Sequence, residues 1–310
     1  MDKTQKKRPL VFSIIRYTLI SIAALFLTYA VLFSIAGTTA IIIGYTYIMK
    51  PVKKVMELRT RNPLETAYMG IYKQEMAAEG KNDTIVRKFI PFDSISQHLK
   101  SAVLAAEDDG FYTHPGFDIE AMLSAVEYNR THGSLKRGAS TITQQLAKNL
   151  FLTEEKSFER KFEELAYTLL MERYLGKQRI FELYLNYAQW GKSCFGCEAA
   201  AQQYFKKSAK NLTRGEAARM AAVLAMPTKI TPLASQSVFM GKRLLVIANN
   251  LYLHHNIDDS GYISLTGQPP PGADSTFIDT ISTMPAGKGS ELFKFDLFAP
   301  KNKGNSRNTF

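Results

Sequence analysis

Glu107 to Gly116 reads E-D-D-G-F-Y-T-H-P-G, and Gly138 to Asn149 reads G-A-S-T-I-T-Q-Q-L-A-K-N. An acidic pair beside Gly, His and Pro suits a shaped turn. The second stretch opens a helix: Ile142, Leu146 and Leu150 share one face, and Thr141, Gln145 and Lys148, at i, i+4 and i+7, share another. Solvated faces favour Glu and Lys over Thr and Gln, so a polar stripe of this kind is expected to line a cleft backed by core.

Working outward, residues 140–151, 157–175, 177–188, 197–206 and 213–225 all carry apolar residues at i, i+3, i+4. The spacing predicts a mainly α-helical domain. Phe158, Phe162, Leu165, Leu169 and Leu170 form the apolar stripe of one such helix and are expected to pack inward, with Arg160, Glu163 and Glu164 elsewhere. Residues Phe117 to Arg137, with Gly133, have the length and polarity of a lid over the cleft.

Upstream, Leu10 to Met49 holds no Asp or Glu and one basic residue, Arg16, which exceeds the ~20 apolar residues needed to cross a bilayer. The apolar core of a cleaved signal peptide runs only ~7–15 residues, so an uncleaved anchor is expected. The domain reading is a basic segment 1–16, a transmembrane anchor 17–45, a connector 46–66, the main domain 67–255 and a loosely ordered tail 256–310. The tail is rich in Gly, Pro, Ser and Asp. Basic residues flank the span on both sides, so charge alone does not orient it. One span followed by an extracytoplasmic domain is the simplest topology.

The chain has 310 residues and a formal net charge of +11. That balance favours anionic partners, and beside an anchor these are lipid head groups or a pyrophosphate. No RNA-binding aromatic motif, zinc-finger spacing or basic zipper supports nucleic acid. The two cysteines, Cys194 and Cys197 in C-F-G-C, lack the further ligands of a zinc site and read as buried thiols or a local disulfide.

Glu107 and Asp108 are adjacent and diverge in most backbone conformations, so one should react and the other orient. Glu107 and Glu164, with Lys148 and Arg160 between them in sequence, would make a site that takes a proton and neutralises a departing phosphate.

These segments resemble the peptidoglycan glycosyltransferase family, the lysozyme-like transglycosylases, in its monofunctional branch. E-D-x-x-F-x-x-H-x-G is matched by Glu107, Asp108, Phe111, His114 and Gly116. G-x-S-T-I-T-Q-Q-x-x-K-N runs from Gly138 to Asn149, R-K-x-x-E stands at Arg160, Lys161 and Glu164, and K-x-x-I-x-E-x-Y-L-N begins at Lys177. S-x-x-K and K-T-G do not occur, which argues against serine transpeptidase activity.

The resemblance implies a lysozyme-like helical fold and polymerisation of lipid II into glycan strands at the bacterial plasma membrane. Glu107 would be the general base. Lys148, Arg160 and Lys161 would attend the pyrophosphate, with Asp108, His114, Gly138, Thr141 and Gln145 about the substrate. Glu164 would orient Arg160 or hold a divalent cation, Mg or Mn, on the pyrophosphate. The growing glycan chain, membrane lipids and separate transpeptidases are the implied partners. A lysozyme-like glycan hydrolase and a non-catalytic cell-wall scaffold are the alternatives.

Overall fold

The computed structural model describes residues 8–131, 140–153, 157–234 and 237–272. The chain divides after Glu57 into two units. The first is helix α1, Arg8–Glu57, about 75 Å long at about 1.5 Å per residue. Its apolar side chains from Leu10 to Tyr45 are exposed, while Val55 near its end is buried. Thr18, Thr28 and Thr38 donate their hydroxyls to the carbonyls of Ile14, Ala24 and Ser34 at 2.8, 2.8 and 2.9 Å. A helix that meets its own polar needs in this way suits a hydrocarbon environment. No break occurs at 17 or 45: residues 46–57, expected as connector, continue the helix through Pro51 because Lys, Met, Val and Glu propagate it.

The second unit is helical with one small sheet. Its elements are α2 (Ala67–Ala78), β1 (Val86–Arg87), a 3-10 turn at Phe92–Ser94, α3 (Gln97–Glu107), α4 (Ile119–Thr131), α5 (Ile142–Phe151), α6 (Phe158–Tyr174), α7 (Lys177–Tyr187), β2 (Cys194–Phe195), α8 (Cys197–Phe205), a second 3-10 turn at Ala209–Asn211, α9 (Arg214–Val223), α10 (Val238–Leu253) and α11 (Asp259–Thr266). Side-chain caps set many of the starts: Thr66, Ser96, Ser157 and Ser237 accept from backbone N–H groups, and Thr141 and Thr213 form reciprocal boxes with Gln144 and Glu216.

Helix α3 packs on α9 and α10, while α5 packs on α6, α7 and α2. The second group is filled by large aromatics: Phe111, Phe181, Tyr184, Tyr187 and Trp190 are all essentially fully buried. Strands β1 and β2 pair in parallel, Val86 opposite Cys194. Asn186 fastens the chain before α3 by donating to Ile90 O at 3.0 Å and accepting from Ile90 N at 2.9 Å. Its own carbonyl lies where a Cβ on residue 196 would approach to 2.7 Å, and φ there is +83°, so Gly196 alone fits. The R-N-P stretch is pinned to α7: Arg179 donates to Asn62 Oδ1 and Arg61 O, and Tyr187 OH to Pro63 O.

Two further expectations, the inward face of α6 and the end of the helical body, are corrected. Helix α6 buries Glu164, Tyr167, Thr168 and Met171, while Phe162 is 72% exposed and Leu165 and Leu169 also face out. The periodicity located the stripe but not the side it faces, because the packing face is supplied by buried Met171 and by Tyr167, which stacks on Phe151 of α5 at 4.1 Å. Residues 119–131 of the expected lid form α4, whose start is set by Asp118 Oδ1 accepting from Ala121 N at 2.8 Å. Gly133 and Arg137 lie outside the described residues. The helical body also runs past residue 256: Asp258 caps α11, and Tyr262 OH donates to Asn249 Oδ1 of α10 at 2.7 Å. The residues after 272 of the expected tail lie outside the described residues.

Candidate active site

Glu107 is the last residue of α3, placed where α3, α5, α7 and α10 meet. Gln145 of α5 donates Nε2–H to Glu107 Oε2 at 3.1 Å, and Tyr184 of α7 donates its hydroxyl to Gln145 Oε1 at 3.0 Å. The tyrosine thereby fixes which end of the amide faces the carboxylate. Arg243 of α10 donates from Nη2 to Glu107 Oε1 at 2.6 Å and to Ala106 O at 3.1 Å. Two turns further on, Asn250 donates to Ala105 O at 2.8 Å. Residues i and i+7 of α10 thus grip the C-terminal end of α3, where a cation also complements the helix dipole.

Burial pushes the Glu107 carboxyl above its ordinary range, and Arg243 and the Gln145 hydrogen bond pull it back. Each carboxylate oxygen accepts one bond here and retains a second lone pair. A pocket of ≈ 200 Å³ opens beside it, lined by Glu107, Asp109, Asp118, Ser140 and Asn250 among others. A buried carboxylate with a raised proton affinity, next to an open pocket, is suited to taking a proton.

Asp108 points the other way. Its Oδ2 accepts from Ile142 N, at the start of α5, at 2.8 Å, and its Oδ1 lies 2.8 Å from His114 Nε2. His114 Nδ1 accepts from Gly116 N at 3.1 Å, so Nε2 carries the proton and donates to Asp108. Both side chains are buried, at 4% and 8% exposure. The loop after α3 is therefore tied to α5 through a closed chain of hydrogen bonds. Thr141, expected on the groove face, is the N-cap of α5, its hydroxyl donating to Gly116 O at 2.6 Å and accepting from Gln144 N. Gly116 is needed there: φ is +102°, and a Cβ would lie 2.8 Å from both Thr168 Cγ2 and Glu172 Cγ. Phe111 is packing, tilted against Phe181 at 5.6 Å with Lys177 Nζ 4.5 Å above its ring. Asp108, His114 and Thr141, expected about the substrate, use their polar atoms in these internal hydrogen bonds, while Asp108 and Thr141 also line the pocket beside Glu107. Gly138 lies outside the described residues.

Lys148 stands three residues beyond Gln145 on the same side of α5, exposed and without a hydrogen bond or ion pair among the described residues. Glu164 forms a second group on α6. Its carboxylate pairs with Lys161 and lies 3.8 Å from Arg160 Nη1, and it is almost fully buried. Arg160 Nε is buried without a partner among the described residues. Among the described residues no hydrogen bond or ion pair joins this group to Glu107.

Arg243, Asn250 and Tyr184 were not singled out as site residues by sequence reasoning. Tyr184 carried a signal as part of the Lys177 motif. Arg243 and Asn250 stand at i, i+7 on α10, but Lys242 and Asn249 do the same one residue earlier, so the spacing alone does not single them out. Tyr184→Phe is expected to release the Gln145 amide and cost about 0.5–1.5 kcal/mol of stability, with a rate loss under about tenfold. Thermal melting and initial rates measured together check this, and an unchanged rate would remove the tyrosine from the site.

Cys194 and Cys197 are both free and buried, and burial pushes each thiol up to about 12. At neutral pH neither offers a thiolate.

The family described as transglycosylase matches residues 73–251, more than half of the chain. Several relatives bear the name biosynthetic peptidoglycan transglycosylase. One, from Cupriavidus pinatubonensis, is 55% identical over 146 residues, 47% of this chain and 58% of the relative. Another, from Ralstonia nicotianae, is 44% identical over 194 residues, 61% of this chain and 83% of the relative. A third relative of the same name, from Cupriavidus metallidurans, is 53% identical, and this chain covers 61% of its length. The chain thus spans about three fifths of the two Cupriavidus relatives.

Proposed function

The chain belongs to the transglycosylase family, and from that premise we propose that it polymerises lipid II into linear peptidoglycan strands. The observation that carries the reading is the Glu107 carboxylate, buried between Arg243 and Gln145 yet bordering an open pocket. In this mechanism the 4-hydroxyl of one lipid-linked disaccharide attacks C1 of the sugar at the reducing end of the growing chain. Glu107 takes the hydroxyl proton, the new C–O bond forms, and the C1–O bond to undecaprenyl pyrophosphate breaks with its electron pair. Attack opposite the leaving group inverts the anomeric centre. Pyrophosphate is a good leaving group, which relaxes the need for a second carboxyl as acid.

The cations fit that chemistry. Lys148, exposed and unpaired among the described residues, is available to a phosphate oxygen, and Arg160 is held by Glu164 with Nε unpartnered among them. Cleaving a finished glycan generates no phosphate and would leave these groups without a task, so polymerisation is preferred to hydrolysis. Glu164 offers a single carboxylate already faced by Lys161 and Arg160, and no cluster of three His, Cys, Asp or Glu suited to a metal occurs among the described residues. These residues do not fit a divalent cation held by the protein. We assign any Mg or Mn to the substrate's pyrophosphate oxygens.

The long apolar helix α1 is of a length and composition to cross a membrane. In our reading it does so once, with the second unit on the outer face of the plasma membrane. The outward residues Ile119, Met122, Leu123 and Val126 of α4, and Phe162, Leu165 and Leu169 of α6, then meet the bilayer surface where a polyprenyl substrate lies.

The test is incubation of the detergent-solubilised full chain with labelled lipid II and Mg, resolved on a glycan gel. A ladder of long strands is expected. Shortening of added finished glycan, with no ladder, would mean a hydrolase; lipid II binding without product would mean a scaffold.

A further inference from the structure

We infer that Arg243 is the positioning residue that keeps Glu107 ionised and aimed for the transfer, and so sets the lowest pH at which the enzyme works. This rests on the proposed polymerisation. Three features carry it. Arg243 reaches Glu107 at 2.6 Å from a different helix, while the same Nη2 holds Ala106 O and so fixes the carboxylate's own backbone. The pair is secluded, at 20% and 11% side-chain exposure, so solvent screens it little. And Arg243 Nε is buried with no partner among the described residues, so the guanidinium is held mainly by its contacts with the end of α3.

The surroundings of Glu107 explain why a cation is needed there. Asp108 adjoins it on α3, Asp109 and Asp118 line the same pocket, and Tyr184 and Gln145 face it from α7 and α5 as neutral groups. His114 faces Asp108, with Lys177 of α7 further out; His254 lies 3.6 Å from Asp109 and outside the pair. Lys148 of α5 is exposed. Arg243 is therefore the one full positive charge in contact with Glu107 among the described residues. Without it, burial and the neighbouring carboxylates act unopposed and the base becomes protonated at higher pH.

The sign follows directly. The base works ionised, so the rate rises with pH through the titration of Glu107. Loss of the Arg243 charge moves that rise to higher pH. Arg243→Gln keeps a donor for Glu107 and Ala106 O but removes the charge. Arg243→Lys keeps the charge and loses the fork.

The experiment records initial rates of lipid II polymerisation against pH for wild type and both variants, with melting temperatures alongside. Arg243→Gln is expected to lose about tenfold or more near pH 6 but only a few-fold near pH 9, with its acid limb displaced upward. Arg243→Lys is expected to keep the wild-type limb at a lower plateau. A rate reduced by one factor at every pH would overturn the inference and leave a structural role; so would an acid limb in Arg243→Lys displaced as far as in Arg243→Gln. If Arg243→Gln fails to fold, the Lys variant decides alone, since a displaced limb there overturns it. A wild type that makes no ladder at any pH instead overturns the proposed polymerisation, and is distinguishable because no variant is involved.

Discussion

Glu107→Gln is expected to reduce lipid II polymerisation by roughly 10²–10⁴-fold, the range set by loss of a general base, while lipid II still binds. The substitution keeps the shape of the side chain and its reach into the pocket, but the amide has no basic oxygen for the acceptor proton. One difficulty is local: Arg243 and Gln145 both donate to Glu107, and an amide can accept on one end only. Some loss of stability therefore accompanies the loss of rate, and the two are separated by comparing melting temperature with turnover. A folded variant that binds lipid II and makes no strand identifies the base. A variant retaining a tenth or more of wild-type activity would assign the proton transfer elsewhere.

Much of this site was legible because its chemistry is local in sequence. The helix opening at Thr141–Gln145 could be read from its capping residues and its apolar period, and the structure begins α5 at Ile142. Adjacent side chains are expected to diverge, and Glu107 and Asp108 do face opposite partners. What was not legible depends on tertiary contact. A period reports that Phe162, Leu165 and Leu169 share a face, but only packing decides whether that face is core, and here α6 buries Glu164 and Thr168 instead. Thr141 shares the helical phase of Gln145 and Lys148 only if it lies within the helix, and a threonine at the boundary is more useful as a cap. Arg243 is 136 residues from Glu107. Nothing local to either residue encodes that meeting.

Asp108→Ala is expected to lower stability by about 2–5 kcal/mol, because it strips the acceptor from two buried donors at once, each worth about 1–3 kcal/mol when left unmet. Ile142 N and His114 Nε2 both end on this carboxylate, and through His114 so does Gly116 N. For a body of this size that is a melting temperature lower by roughly 5–15 °C. Asp108→Asn retains one acceptor and is expected to fall between wild type and Ala. Burial raises the Asp108 carboxyl even against these donors. Only the pH-dependent part of its effect follows that shift: it favours the fold below the unfolded titration range and is lost as pH rises through the folded one, separately from the two hydrogen bonds that the carboxylate accepts. The same carboxylate sets the turn that leads from Glu107 to α5, so activity should fall with stability, unlike Glu107→Gln, where activity falls much further. His114→Ala removes one strand of the same chain, and its cost should add to that of Asp108→Ala by less than the sum, with a coupling of about 0.5–3 kcal/mol. Strict additivity in that double-mutant cycle would mean that the two residues act separately and that α5 is held in place by its core face alone.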